Sequence, residues 1–202
     1  TYQRESPDGA NCALDEPHKI VWVMEVLGSA LSLPPAHTDV ANASLDVYEG
    51  WILGTARPAP MNEAPEPFLC TMFRHMSTVF TPALAGDETG RQLALGRRVL
   101  ALFLRIAHHS VSQSSTEIYS QGTHEVLLRV VLSVADFCLR NIMPSELRAF
   151  AVRAFFEVWV VSQWTDESLW SIASKHVRQW LGIQVGSTHT HKQRERKRGT
   201  RI

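Results

Sequence analysis

Apolar residues recur at helical spacing through most of this chain. Ile20, Met24, Leu27 and Leu31 fall at i, i+4, i+7 and i+11, one stripe of a helix from about His18 to Leu33 that Pro34 and Pro35 stop. Thr38 or Asp39 is placed to cap a second helix to Leu53, with Leu45, Tyr48, Trp51 and Ile52 on one face. Arg57–Pro67 contains Pro58, Pro60, Pro65 and Pro67 and reads as a loop. Pro67, behind Glu66, opens a third helix to about Phe80, its apolar face Phe68, Met72, Phe73, Met76 and Phe80. Pro82 and Gly86 end that segment.

The fourth helix is expected from Asp87 to about His108. Leu93, Leu95, Val99, Leu100, Leu102, Phe103 and Ile106 make it apolar nearly all round, as in an inner helix covered on several sides. His109–Gly122 is rich in Ser and Gln and reads as a connector in which Ile118 and Tyr119 form at most a short turn. Thr123 is the expected N-cap of a fifth helix, with Glu125 in its first turn. Val126, Leu127, Leu128, Val130, Val131, Leu132, Val134, Ala135, Phe137 and Leu139 follow, a run too long for one strand and free of turn residues. Ser145 caps a sixth helix to about Gln163, burying Leu147, Phe150, Ala151, Ala154, Phe155, Val158, Trp159 and Val161. Thr165, before Asp166 and Glu167, opens a seventh to Leu181 with Leu169, Ile172, Val177 and Leu181 inward.

No strand-and-turn alternation or βαβ pattern interrupts this series, so the expected class is all-α. Seven helices in consecutive antiparallel pairs predict a HEAT- or armadillo-like solenoid with one unit per about 40 to 47 residues. An irregular helical bundle is the alternative. The expected organisation is a disordered lead-in over 1–17, with Pro7, Gly9 and Pro17, a helical domain over 18–182, and a basic disordered tail over 183–202.

Composition narrows the class. The 202 residues are 45% apolar and 20% charged, as in ordinary globular chains. The net charge of zero hides an asymmetry: Lys192, Arg194, Arg196, Lys197, Arg198 and Arg201 against Glu195 give the tail a charge of +5, leaving −5 on the body. Cys12, Cys70 and Cys138 are odd in number and lack CxxC or Cys/His spacing, which favours neither a disulfide framework nor structural zinc and fits a reducing cytoplasm. The apolar runs Val99–Ala107 and Val126–Ala135 are broken by Arg105 and Arg129 and fall short of the roughly 20 residues of a membrane span. No signal peptide is evident, and a start at Thr1 rather than Met marks the chain as an expected fragment.

Candidate chemistry is sparse. His108 and His109 close the fourth helix, where imidazoles suit the macrodipole, and no carboxylate or Cys stands at ligand spacing. His189 and His191 make only a two-ligand pair. Ser110, Ser112, Ser114 and Ser115 are expected in the connector, solvated and open to phosphorylation. Glu16, Glu25 and Glu49 lie in or beside apolar helices and read as solvated faces. No GxSxG, P-loop, HExxH or dinucleotide fingerprint occurs, so no catalytic, cofactor-binding or metal residue is assigned and no enzyme is expected. Of Trp22, Trp51, Trp159, Trp164, Trp170 and Trp180, most are expected in the core and one or two on a partner surface. The tail HKQRERKRGTRI has the charge to meet phosphates or an import receptor but no interleaved aromatics, so nucleic acid is not the expected partner.

The segments VWVMEVLGSALSLP, LDVYEGWILG, THEVLLRVVLSVADFCL and FFEVWVVSQ, in this order and spacing, resemble the N-terminal region of Ral GTPase-activating protein beta subunits. The resemblance covers about Lys19 to Leu181 and stops near Gly182, where the basic tail replaces the further helices of that family. It implies a non-catalytic scaffold or regulatory region. In such a heterodimer the alpha subunit supplies a catalytic Asn toward a Ral-type small GTPase. The matching region carries no catalytic residue to transfer. The rival function is a nucleic-acid-binding or nuclear-targeted helical protein using the tail, and a third is an enzyme built on His108, His109 or Glu25.

Overall fold

The computed structural model describes residues 14–54, 56–80, 89–112, 119–141, 143–163 and 165–181. The chain divides into two compact units, Thr1–Gln163 and Trp164–Ile202. The described residues are helical with no strand. Most of the expected lead-in, the tail with His189 and His191, and Cys12, Ile118, Ser114 and Ser115 lie outside the described residues.

In the first unit α1 spans Pro17–Leu31 and α2 Thr38–Ile52, joined by a 3-10 turn at Pro35–His37. A short α3, Pro60–Glu63, and the first residues of α4, Pro65–Ser77, fall in the segment expected to be a loop, and α4 continues as the helix expected from Pro67. Pro60, Pro65 and Pro67 sit in first turns, where the missing N–H costs nothing and the fixed φ helps, so they start helices rather than prevent them. A 3-10 turn at Thr78–Phe80 ends α4. Next come α5, Thr89–Ser112, α6, Gln121–Arg140, and α7, Ser145–Ser162.

The helices pack in two rows. α1 lies against α4 and α4 against α6, while α2 lies against α5 and α5 against α7. The rows meet where α1 packs on α2 and α6 on α7. Midway, the Thr78–Phe80 turn packs on α4, α5 and α6. Each row buries one stripe, and the stripes between the rows form the core. Ile20, Met24, Leu45, Ile52, Phe73, Met76, Phe103, Ile106, Val131, Ala135, Ala151 and Phe155 are all buried. The rings of Phe73 and Phe103 meet edge to face with centroids 6.3 Å apart, an arrangement that adds about 0.5 to 1.5 kcal/mol to the burial itself.

Several expectations shift. Leu27 is only half-buried, and Gly28 takes its place on the inner line of α1. Leu93, Phe137, Phe150, Trp159 and Val161 are likewise intermediate. α5 runs through His109 to Ser112, so Ser110 and Ser112 are helical rather than in a connector. The cap of α6 is Ser120, whose Oγ accepts from Thr123 N at 3.1 Å. Thr123 is buried inside the first turn, and Glu125 lies beyond it. Neither Thr38 nor Asp39 caps α2, and Ser145 is the first residue of α7 behind Pro144.

In the second unit a helix over 167–181, α8, starts at an Asp166 cap, with the carboxylate accepting from Ser168 N at 2.6 Å and Leu169 N at 3.3 Å. Leu169, Ala173 and Trp180 are buried. Ile172 and Leu181, expected inward, are exposed at 39% and 61%. Leu169 is inward as expected, and Ala173 and Trp180 are buried in place of Ile172 and Leu181.

Candidate interaction surface

Three polar constellations join the helices of the first unit. The first closes the end of α2. Gly54 turns the chain at φ +86°, a conformation that suits a residue without Cβ. Arg57 then folds back, donating from Nε to Trp51 O at 2.9 Å and from Nη2 to Ile52 O at 2.6 Å. The buried Tyr119 hydroxyl donates to Ile52 O at 3.0 Å. Carbonyls that end a helix without intrahelical donors thus find a cation and a phenol.

The second lies where α4, α5 and α6 approach. Ser120 Oγ donates to Glu66 Oε2 while capping α6. Gly122 passes so close to Glu66 that a Cβ there would stand 2.5 Å from Oε1. His124 Nδ1 donates to Ser120 O at 3.1 Å, and its Nε2 lies 2.9 Å from Ser110 Oγ. Both carbonyls only accept, so His124 Nδ1 carries a proton toward Ser120 O, and the Ser110 hydroxyl gives its one proton to Ala107 O at 2.7 Å rather than to Nε2. A hydroxyl beside an oriented imidazole is the relationship of nucleophile and base. Its setting opposes that chemistry: Ser110 stands in the last turn of α5, where a developing oxyanion would face carbonyl oxygens rather than N–H donors. The pair therefore reads as a structural tie between α5 and α6.

The third is a charged seam along the second row. Arg98 donates from Nη1 to Asn42 Oδ1 at 2.7 Å and pairs from Nη2 with Asp46, with Glu49 Oε2 at 3.7 Å. Arg105 pairs with Glu49. Between α5 and α7, Arg97 pairs with Glu146 at 2.5 Å and His108 Nε2 lies 3.1 Å from Glu157 Oε1. Arg153 adds a 3.6 Å pair to Glu157. The fold thus gives His108 a carboxylate neighbour 49 positions away that local spacing does not contain. His109 instead sets its ring edge against Tyr119. Glu49 ties α2 to α5 within the second row, whereas Glu25 is exposed and Glu16 pairs with Lys19.

Among the described residues no three His, Cys, Asp or Glu side chains group to hold a metal, and no helix is long and apolar enough to cross a membrane. An open depression between the end of α4 and α6 is lined by Ser77, Phe80, Ser133, Val134 and Phe137, without a charged group. Cys70 and Cys138 are free and buried, and burial pushes the Cys138 thiol up to about 11.

The tryptophans divide. Trp51 and Trp180 are buried and Trp159 is intermediate, while Trp22 is 70% exposed and Trp170 also faces outward. Trp164 lies outside the described residues.

The comparisons agree on one lineage. A family described as the RALGAPB N-terminal domain matches residues 88–188. The human Ral GTPase-activating protein subunit beta is 24% identical over 185 residues, which cover 85% of this chain and 12% of that protein. The chain thus spans about one eighth of the length of that relative. No solved structure matches the chain.

Proposed function

The chain belongs to the RALGAPB N-terminal domain family, and from that membership we propose that it is a non-catalytic scaffold and regulatory region of a Ral GTPase-activating complex. The observation that carries the reading is the family match over 88–188, which takes in α5 to α8. In this reading the protein supports GTP hydrolysis by a Ral-type small GTPase through binding a catalytic alpha subunit as a heterodimer, in the cytoplasm. Its helical domain occupies 18–182, between a polar lead-in and a basic tail. We read the first unit as a HEAT- or armadillo-like solenoid rather than an irregular bundle, a reading supported by α1, α4 and α6, and α2, α5 and α7, each leaning on the next in its row.

Binding by an array of this kind depends on shape and side chains displayed along the rows, not on one reactive centre. Co-purification of the full chain with a matching alpha subunit tests the proposal. Expected is a stoichiometric complex on size exclusion. A folded, helical sample that elutes apart from the alpha subunit at micromolar concentrations would sink it.

A further inference from the structure

α1 and α2 form one end of the two rows among the described helices. Ile20, Met24, Gly28 and Leu31 mark the buried line of α1. Trp22, Val26 and Ser29 repeat that spacing on its opposite side, and Leu33 continues the line past the end of the helix. Trp22 is 70%, Val26 53% and Leu33 43% exposed. On α2 the flank bearing Asn42, Asp46 and Glu49 is held by Arg98 and Arg105 of α5. Val40, Ala43 and Val47 lie on the other flank and are exposed. Two apolar stripes thus face outward at this end of the described helices, a side on which an isolated array would carry polar residues.

The charge around them selects the occupant. Asp46 and Glu49 on the far flank are taken up by Arg98 and Arg105, which leaves Asp15, Glu16, Glu25 and Asp39 against Lys19 in residues 14–54. Lys19 is held by Asp15 and Glu16 at 2.8 Å. Glu25 and Asp39 are exposed and form no ion pair among the described residues. We propose that this end face docks an amphipathic helix of a partner protein whose apolar stripe is flanked by Lys or Arg. The aliphatic line of such a helix lies along Val26, Leu33, Val40 and Val47. Its cations meet the acidic rim, one of them over the indole of Trp22. The chain's own basic tail lacks the apolar line to serve. Anionic membranes are repelled by the same carboxylates. This inference is independent of the subunit reading, since the helix need not belong to an alpha subunit.

The test uses the full chain and two labelled synthetic helices with one Leu stripe, flanked by Lys in one and by Glu in the other. Fluorescence anisotropy is expected to show binding of the Lys helix alone, weakening as salt rises from about 50 to about 500 mM. Trp22→Ser with Val47→Ser is expected to cost at least about tenfold in affinity. Val160→Ser, on the equally exposed outer side of α7, is expected to change nothing. The substituted positions are exposed, so circular dichroism should confirm an intact fold. Equal binding of both helices, binding of neither, or equal loss with Val160→Ser overturns the proposal. So does self-association, or sedimentation with anionic vesicles, that Trp22→Ser abolishes, because a second copy or a membrane would then be the occupant.

Discussion

The Tyr48 hydroxyl lies 2.8 Å from His75 Nδ1 and 3.0 Å from the carbonyl oxygen of Met24, so one buried phenol in α2 ties α4 to α1. The phenol has one proton, and the Met24 carbonyl can only accept it. His75 must then carry its proton on Nδ1 and donate to the Tyr48 oxygen. The rings stack with centroids 6.2 Å apart and planes at 24°. Burial pushes the phenol well above its ordinary range, which keeps this donor protonated.

Gly28 leaves the space His75 occupies. A Cβ there would stand 2.5 Å from Nδ1 and 2.7 Å from Cγ of the imidazole. Ala normally favours a helix over Gly by about 0.5 to 1 kcal/mol, but overpacking costs about 1 to 3 and the displaced bond to Tyr48 about 1 more. Gly28→Ala is expected to lower stability by about 1 to 3 kcal/mol by these terms. Urea unfolding followed by circular dichroism checks it, and a neutral or stabilising result would refute the packing account.

His75 also sets a pH dependence. Burial holds its pKa below the ordinary 6.5, with Glu25 opposing in part. The folded state therefore binds this proton less readily than the unfolded state, and stability falls as pH drops below about 6.5 toward the folded value. Melting temperatures between pH 8 and pH 5 should decline on the acid side. His75→Gln should flatten that decline relative to its own value at pH 8.

Arg57 and Arg105 are both cations on α2 groups, yet their removal should differ. Arg57 donates to two terminal carbonyls in a half-buried setting, and bonds from a charged donor contribute about 1.5 to 3 kcal/mol. The Arg105 side chain is 59% exposed in its pair with Glu49, and such pairs contribute about 0.2 to 1 kcal/mol. Chemical denaturation of Arg57→Ala and Arg105→Ala should show the larger loss at Arg57. The reverse order would mean that the seam, not the cap, holds α2.

Ser120 caps α6 and donates to Glu66 at once. Ser120→Ala is expected to cost about 1 kcal/mol as a lost cap. Asp is ordinarily as good a cap as Ser, but here its carboxylate would face Glu66, so Ser120→Asp should not rescue stability. Equal stability of the Asp variant and the parent in thermal melts would disprove the Glu66 contact.

Gln163 ends α7 at φ 50°, the left-handed region a side chain disfavours. Gln163→Gly is expected to be neutral to stabilising, by up to about 1 kcal/mol. A clear fall in melting temperature would show that the Gln side chain holds the turn.

Much of this architecture is legible in order and spacing. The spacing of Ile20, Met24 and Leu31 predicts the inner line of α1, and Phe68, Met72, Phe73 and Met76 predict that of α4, because a helix repeats its face regardless of its neighbours. Of the ordered segments that carry the family resemblance, THEVLLRVVLSVADFCL and FFEVWVVSQ fall within the residues 88–188 that the family matches. Less legible were positions where two periodic readings compete. Ile172 and Leu181 are as apolar as Leu169, and α8 buries Ala173 and Trp180 instead. The prolines of 58–67 read as breakers because their effect depends on whether each falls in a first turn.

The sequence by itself determined the all-helical class, the main buried stripes and the lineage, since local periodicity and segment order are properties of the chain alone. Only the tertiary structure decided which side chains meet across it. His108 with Glu157, His75 with Tyr48, Ser110 with His124 and Glu66 with Ser120 are separated by 14 to 54 positions. Which of six tryptophans faces outward was settled the same way: Trp22 and Trp51 are alike in local pattern, and the packing of the two rows buries one and leaves the other exposed.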